Sequence, residues 1–368
     1  MKVLFFLPYS IEAAGCRYRV HQFVPFLESH GVRCELRELV KPDLYRILYK
    51  PGHRLEKAWR FAAGAAGRVK DLKDARDYDV LFVYRECFPF GPALMERQLA
   101  QTGRPMVFDF DDAIYLSSGS GIKDLVRAPE KTHVITQLAD EVIVCNEHLR
   151  RLCLAYNKNV SVIPTSVDTE LQFHARGYDQ PLPPANGAAV RLGWIGSHST
   201  AKYLKRLGPV LARVAQRHPV ELFVVGAGRD IEMPGVKVVN KAWSLATELD
   251  DFRSIDIGLY PLEDDLWELG KTSFKTIQYM AVGVPGVISR VGTALDIVRD
   301  GENGLLAGSD DEWVDKICRL IEDPQLRQRI GAAGRRTAVE GFSVASNAPK
   351  LLSVLERAAL RGRRAKTG

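Results

Sequence analysis

The sequence predicts an α/β protein of two doubly wound domains facing a central cleft, and three observations carry that expectation. Short apolar runs alternate with helix-length segments, the pattern of βαβ units around a parallel sheet. The alternation stops once, at 170–189, in a polar stretch holding Gly177, Pro181, Pro183, Pro184 and Gly187, and then begins again. The 368 residues suffice for two domains, each with its own core. Hydrophobic residues make up 46% and charged residues 26%, which excludes disordered, collagenous and disulfide-scaffold classes.

The first domain spans 1–169. Residues 3–7 read as a buried strand, followed by a glycine-containing turn and an amphipathic helix with Val20, Phe23, Val24 and Leu27 on one face. Strands follow at 80–84, 105–109, 141–144 and 160–163. After the linker 170–189, the second domain (190–345) opens with a strand at 190–195 that ends in Gly196-Ser197. Further strands are expected at 220–225, 236–239, 255–259 and 284–288, with a helix at 274–281 and helices filling the remainder. Residues 346–368 form a C-terminal helix and basic tail that packs back on the first domain. In such open sheets ligands bind beyond the carboxyl ends of the strands, so two sheets suit a ligand with two chemically different ends.

Six cysteines lack CxxC or Cys/His ligand spacing and read as buried thiols of a reducing compartment. Ala13-Ala14-Gly15-Cys16 loosely resembles a lipoprotein cleavage site, but Pro8 and Glu12 interrupt the short apolar run before it, so a first strand is expected instead. No stretch approaches the roughly 18 apolar residues of a membrane span. The formal charge of +6 does not argue for nucleic acid. It equals the excess of one segment: residues 41–76 hold ten Lys/Arg and four acids, interleaved with Tyr45, Tyr49, Leu55, Trp59 and Phe61. Such a segment fits an anionic membrane surface as well as it fits a solvated helix face. Residues 357–366 add a second basic element.

Gly196, Ser197, Ser199 and Lys202 place small residues, hydroxyls and a cation at a strand–turn–helix, where an anion is favoured. A tight turn with a capping serine reads equally well there. Lys271, Thr272, Ser273, Phe274 and Lys275 open the helix that carries Gln278, and cations at a helix start oppose the dipole unless an anion joins them. Asp109, Asp111 and Asp112 follow a buried strand at the end where sites form, and at least one of them reads as a helix N-cap or a solvated neighbour of one. Arg85 and Glu86 follow the neighbouring strand, as an ion pair or as site residues. Gly15, Arg17 and Arg19 lie in the turn and helix after the first strand, within reach of the acidic cluster, a diphosphate or an acceptor phosphate. His198 reads as a bystander in its turn.

Several segments together resemble one family. Ile163-Pro164-Thr165-Ser166-Val167-Asp168, the run from Phe274 to Pro285, and Glu302-Asn303-Gly304-Leu305-Leu306 are similar to signatures of GT-B glycosyltransferases of the family 4 (group 1) type. Residues 16–20 and 108–113 resemble a bacterial subset of it. The resemblance implies two Rossmann-like domains in the GT-B architecture. It implies sugar transfer from a UDP- or GDP-linked donor with retention and without metal or other cofactor, the donor on the second domain and the acceptor mainly on the first. Phosphate contacts by Lys271 or Lys275 follow from it.

The family's Glu pair, with seven residues between its members, falls on Gly270 and Gln278 here. An amide still bonds a ribose diol, but Gly270 supplies no carboxylate, which leaves backbone amides or Glu263-Asp264-Asp265 for the sugar. One of Asp109, Asp111 and Asp112 takes the place of a family histidine near the acceptor. Asp109-Phe110-Asp111 is formally a DxD, but a single-domain metal-dependent transferase would leave the second domain without a role, and the phosphatase motif it echoes needs the first strand. The expected setting is polysaccharide or lipopolysaccharide assembly with a glycan or lipid-linked acceptor, in the cytoplasm or at the inner face of the plasma membrane. A weakened nucleotide-sugar-binding subunit and a GT-B epimerase are the alternatives.

Overall fold

The computed structural model describes residues 1–48, 50–117, 127–175 and 189–367, without the side chains of 363–367. The chain divides into two compact units, Met1–Ser166 with Asn347–Gly368, and Val167–Ser346. Residues 176–188 of the expected linker lie outside the described residues.

Among the described residues the first unit holds a parallel sheet of β1 (Lys2–Tyr9), β2 (Arg33–Val40), β3 (Val80–Tyr84), β4 (Met106–Phe110), β5 (Glu141–Val144) and β6 (Val160–Val162). Their order is β2-β1-β3-β4-β5-β6. The runs at β1, β3 and β4 are apolar because helices cover both faces of the sheet. Phe6, Val83, Phe108, Phe110 and Val144 form part of that core. The sequence reading contains no strand at 33–40. Here Arg33, Glu35, Arg37 and Glu38 sit on an edge strand that is mostly half-exposed, so its charges mask the strand.

The expected helix after β1 is broken into a helix Ala14–Arg19, a 3-10 turn His21–Phe23 and a helix Val24–Ser29. Pro25 lies in the first turn of the last piece and has no N–H for a continuous ladder. The apolar stripe still reaches the core: Val20, Phe23 and Leu27 are buried.

The second unit holds β7 (Val190–Ile195), β8 (Val220–Val225), β9 (Lys237–Lys241), β10 (Ile257–Tyr260), β11 (Gly286–Ser289) and β12 (Leu305–Ala307). These are ordered β12-β11-β10-β7-β8-β9. The sequence reading contains no strand at 305–307, three residues that join the sheet edge through Val287↔Leu305 and Ser289↔Ala307. Leu192, Trp194, Leu211, Leu222, Val224 and Ile257 are in its core. Each order reverses direction once, between β1 and β3 in the first sheet and between β7 and β10 in the second. A doubly wound sheet opens a ligand crevice at such a reversal.

The last helix, Val344–Thr367, carries Ala348, Leu351, Val354, Leu355 and Ala358 as a buried face. Within the first unit, Arg357 and Arg361 grip the buried Glu141 at 3.0 and 3.1 Å, and Arg361 also donates to Asn159 Oδ1 at 2.9 Å. Two cations of the basic tail are therefore held in structural ion pairs.

Candidate functional site

In the second unit, the strand ends beside the β7/β10 reversal carry a turn and a helix start. Gly226 follows β8 with φ +81, and a Cβ there would stand 2.4 Å from the Gly196 carbonyl oxygen. The chain after β8 thus lies directly against the turn after β7. In that turn the Ser197 N–H donates to Thr200 Oγ1 at 3.1 Å, and the hydroxyls of Ser197 and Ser199 are 2.8 Å apart. Three hydroxyls and a tight backbone turn therefore sit together before the helix Ala201–Arg206. Lys202 is exposed, lies over the Tyr203 ring at 4.7 Å and is 3.8 Å from Glu263. Arg206 also pairs with Glu263.

The loop after β10 leads through a short helix, Leu266–Leu269, whose first turn is capped by Asp265 accepting from the Glu268 N–H at 2.9 Å. Glu263 and Asp265 of the acidic stretch are thus engaged in an ion pair and a cap. Glu268, with a side chain 2% exposed, receives Lys271 Nζ at 2.6 Å. Ser273 takes the left-handed backbone region (φ 47) and shares a 3.1 Å hydrogen bond with Thr293. Thr293 in turn donates to the Lys271 carbonyl at 2.8 Å. These contacts hold Thr272 and Ser273 buried at the start of the helix Phe274–Ala281. Lys275 Nζ donates to Gln278 Oε1 at 2.7 Å and lies 5.1 Å over the Phe252 ring. Gln278 is fully buried.

In the first unit, Asp109 and Asp111 are two residues apart and leave β4 toward the same face. Each is met by its own arginine. Arg19 forks onto Asp109, with Nε at 3.1 Å from Oδ2 and Nη2 on Oδ1, while its Nη1 donates to the Ile163 carbonyl at 2.7 Å. Burial pushes the Asp109 carboxyl up to about 6, against the pull of that guanidinium. Arg85 donates to Asp111 Oδ1 from Nη2 at 2.9 Å and lies 3.5 Å from Asp112. The Tyr84 hydroxyl donates to the same Asp111 oxygen at 2.8 Å. Burial by itself would raise Asp111, but Arg85, Arg19 and these hydrogen bonds hold it below the ordinary carboxylate range.

Gly15 makes the Tyr84 hydroxyl possible, because a Cβ at 15 would stand 2.4 Å from it. Arg85 pays for its place with a left-handed φ of 60. Asp112 accepts from the Ala113 N–H at 2.9 Å and its side chain is 28% exposed; no helix starts within 111–117, so the expected helix N-cap is not formed.

The structure thus gathers Gly15, Arg19, Arg85, Asp109, Asp111 and Asp112 at one group of strand ends. It does not join Glu86 to Arg85: Glu86 pairs with the buried Lys131 at 2.6 Å. Arg17 is buried and donates to the Ile11 carbonyl at 3.2 Å. Tyr84, Lys131 and Glu268 escaped the sequence reading as site residues. Glu268 and Lys271 stand three apart across a helix end, a spacing that signals such a pair, whereas Lys131 is 45 positions from its partner and leaves no local sign. Among the described residues no group of three His, Cys, Asp or Glu is placed to hold a metal ion.

Residues 189–323 match the family model described as Glycosyl transferases group 1. The resemblance to that family therefore holds over these residues, which fall within the second unit. The curated MMP alpha-(1->4)-mannosyltransferase of Mycolicibacterium hassiacum is 39% identical over 92 residues, 24% of this chain and 22% of that protein, so the match spans about a fifth of that relative. Among solved structures, sucrose-phosphate synthase from Thermosynechococcus elongatus matches with a TM-score of 0.66 at 15% identity, over 97% of this chain and 98% of that one. HepE of Anabaena in complex with UDP matches with a TM-score of 0.61 at 18% identity, over 97% and 100%. The lipopolysaccharide outer core galactosyltransferase WaaB matches with a TM-score of 0.61 at 14% identity, over 97% and 99%. At these identities the likeness establishes the fold, that of GT-B glycosyltransferases with two Rossmann-like domains.

Proposed function

We propose that this chain is a glycosyltransferase that moves a sugar from a nucleotide-sugar donor to a glycan or lipid-linked acceptor, with retention and without a metal, in surface polysaccharide or lipopolysaccharide assembly. The observation that carries the reading is the group 1 match over 189–323, the unit whose β7/β10 reversal bears the hydroxyl turn and the lysine-bearing helix start. The UDP bound to HepE supports a uridine nucleotide, and the likeness to WaaB supports the lipopolysaccharide setting.

A departing nucleoside diphosphate gains negative charge, which cations and oriented donors stabilise. Lys271 and Lys275 supply the cations, the turn at Gly196, Ser197 and Ser199 supplies donors, and Gln278 lies under Lys275 to hold it. The acceptor proton passes to the leaving phosphate oxygen, so no dedicated base is needed. On the first domain, Asp109 is too buried to meet an acceptor. Asp112 is the carboxylate open to one, and Asp111 positions Arg85 beside it. Association with an anionic membrane at the inner face of the plasma membrane completes the reading.

Titration with UDP, GDP and ADP, read by thermal shift, identifies the nucleotide. Lys271→Ala and Lys275→Ala are each expected to weaken the preferred diphosphate about tenfold or more, the worth of a charged hydrogen bond. Unchanged affinity in both would remove the proposed phosphate contacts. The absence of a carboxylate at Gly270 favours a second reading, a donor-binding subunit without turnover. Sugar release from the preferred nucleotide sugar decides for the enzyme.

A further inference from the structure

The helix Arg54–Asp74 carries apolar side chains outward as well as inward, where Phe61 and Leu72 pack on the core. Its inner face carries the polar anchors: Arg68, 1% exposed, donates to the carbonyls of Arg37 at 2.8 Å and Cys87 at 3.1 Å and to that of Leu7. Asp71 receives Arg68 and Arg37 there. Its outer face is apolar as well. At 100° per residue, Leu55, Trp59, Ala62, Ala66 and Val69 fall on one stripe about 21 Å long. All five are exposed, Leu55 at 88% and Trp59 at 74%. A soluble surface seldom shows a contiguous apolar patch of this kind without a partner.

The charges around the stripe identify the partner. Across 54–76, all of them described residues, every exposed position is apolar, glycine or cationic, the cations being Arg54, Lys70, Lys73 and Arg76. The three acids are withdrawn: Asp71 is buried, while Glu56 and Asp74 are half-buried and Glu56 is tied to Arg60. On the preceding helix Pro42–Leu48, Arg46 has a side chain 73% exposed and lies 3.9 Å from Glu12. A second copy of this chain would set these cations against one another around a two-fold axis. An anionic bilayer meets both features at once, taking apolar side chains into the acyl boundary and cations at the headgroups.

We propose that this helix lies flat on an anionic membrane, with Leu55 and Trp59 inserted and Lys70, Lys73 and Arg76 on the lipid headgroups. The inference deepens the membrane part of the proposed function, while the donor chemistry stands or falls separately. The test uses the full chain with vesicles of phosphatidylcholine alone or with added phosphatidylglycerol, read by co-sedimentation. Binding is expected only with the anionic lipid, and Leu55→Ser with Trp59→Ser should lower it at least about tenfold. Lys70→Glu with Lys73→Glu should lower it about fivefold per cation removed and reduce its salt dependence.

Trp59→Phe should abolish most of the blue shift in tryptophan emission on vesicle addition. Equal nucleoside-diphosphate affinity in every variant shows that the fold and donor site are intact, so failure on vesicles alone counts against the docking face and not the enzyme. Binding that ignores the serine pair, no preference for anionic lipid, or a solution dimer dissolved by the serine pair would each overturn the proposal.

Discussion

The strand ends of the two sheets solve opposite electrostatic problems. In the first domain, charges of both signs are sunk into the protein and matched: Asp109 and Arg19 have side chains only 2% exposed and answer each other across 90 positions of sequence. In the second, the polar groups are hydroxyls, backbone and lysines near the surface, held by short-range contacts such as Ser197–Ser199, Lys271–Glu268 and Lys275–Gln278. The first arrangement has little capacity left for an added ion, because its charges already neutralise one another. The second keeps flexible cations and donors that a diphosphate can recruit by rearranging a few side chains.

The sharpest way to break this contrast is Arg19→Met. Removing one partner strands Asp109 in the interior, and a loss of about 3–5 kcal/mol is expected, measured by denaturant unfolding. The loss should grow as pH rises. Asp109 already titrates at about 6 in the folded protein, and without Arg19 it moves higher, above its unfolded value of roughly 4. The native state then holds a proton that the unfolded state releases, so stability falls as pH climbs through that window. A pH-independent loss would show that Asp109 is not the stranded charge.

Gly226→Ala tests the other side. A non-glycine residue at positive φ costs about 1–3 kcal/mol, and here the new Cβ also presses on the Gly196 carbonyl. A modest drop in stability with a larger loss of nucleoside-diphosphate affinity is expected; intact affinity would separate the Gly226 loop from the proposed phosphate turn.

The smallest effect concerns acid. Asp111 is held below its ordinary value, so its contribution is present above about pH 4 and disappears as pH falls through the lowered folded value. Asp111→Asn should therefore flatten the acid limb of a stability–pH curve while leaving Arg85 hydrogen-bonded. An unchanged limb would mean that the Arg85–Asp111 contact contributes nothing measurable.

Much of this was legible in the chain itself. The apolar runs at β1, β3, β7 and β8 announce buried parallel strands because both faces of those strands need apolar cover. The residues of the turn after β7 are contiguous, so glycine, serines and lysine signal together. The edge strand β2 was hidden by its half-exposed charges, and β12 by its length of three residues. The basic segment 41–76 was visible as composition, but which of its residues face outward was not: only the packed helix shows Arg68 pointing in and Trp59 pointing out.

The sequence by itself determined the two doubly wound sheets, the positions of the turns at their strand ends and the local basicity, since periodicity and turn chemistry act between residues a few places apart. Tertiary structure alone decided which carboxylate is buried against Arg19, which one stays open at Asp112, and that Glu86 belongs to Lys131 and not to its neighbour Arg85. Those choices depend on how strands and helices from distant parts of the chain stack, and the cost of leaving a charge unpaired in a low-dielectric interior selects among partners that the linear order does not rank.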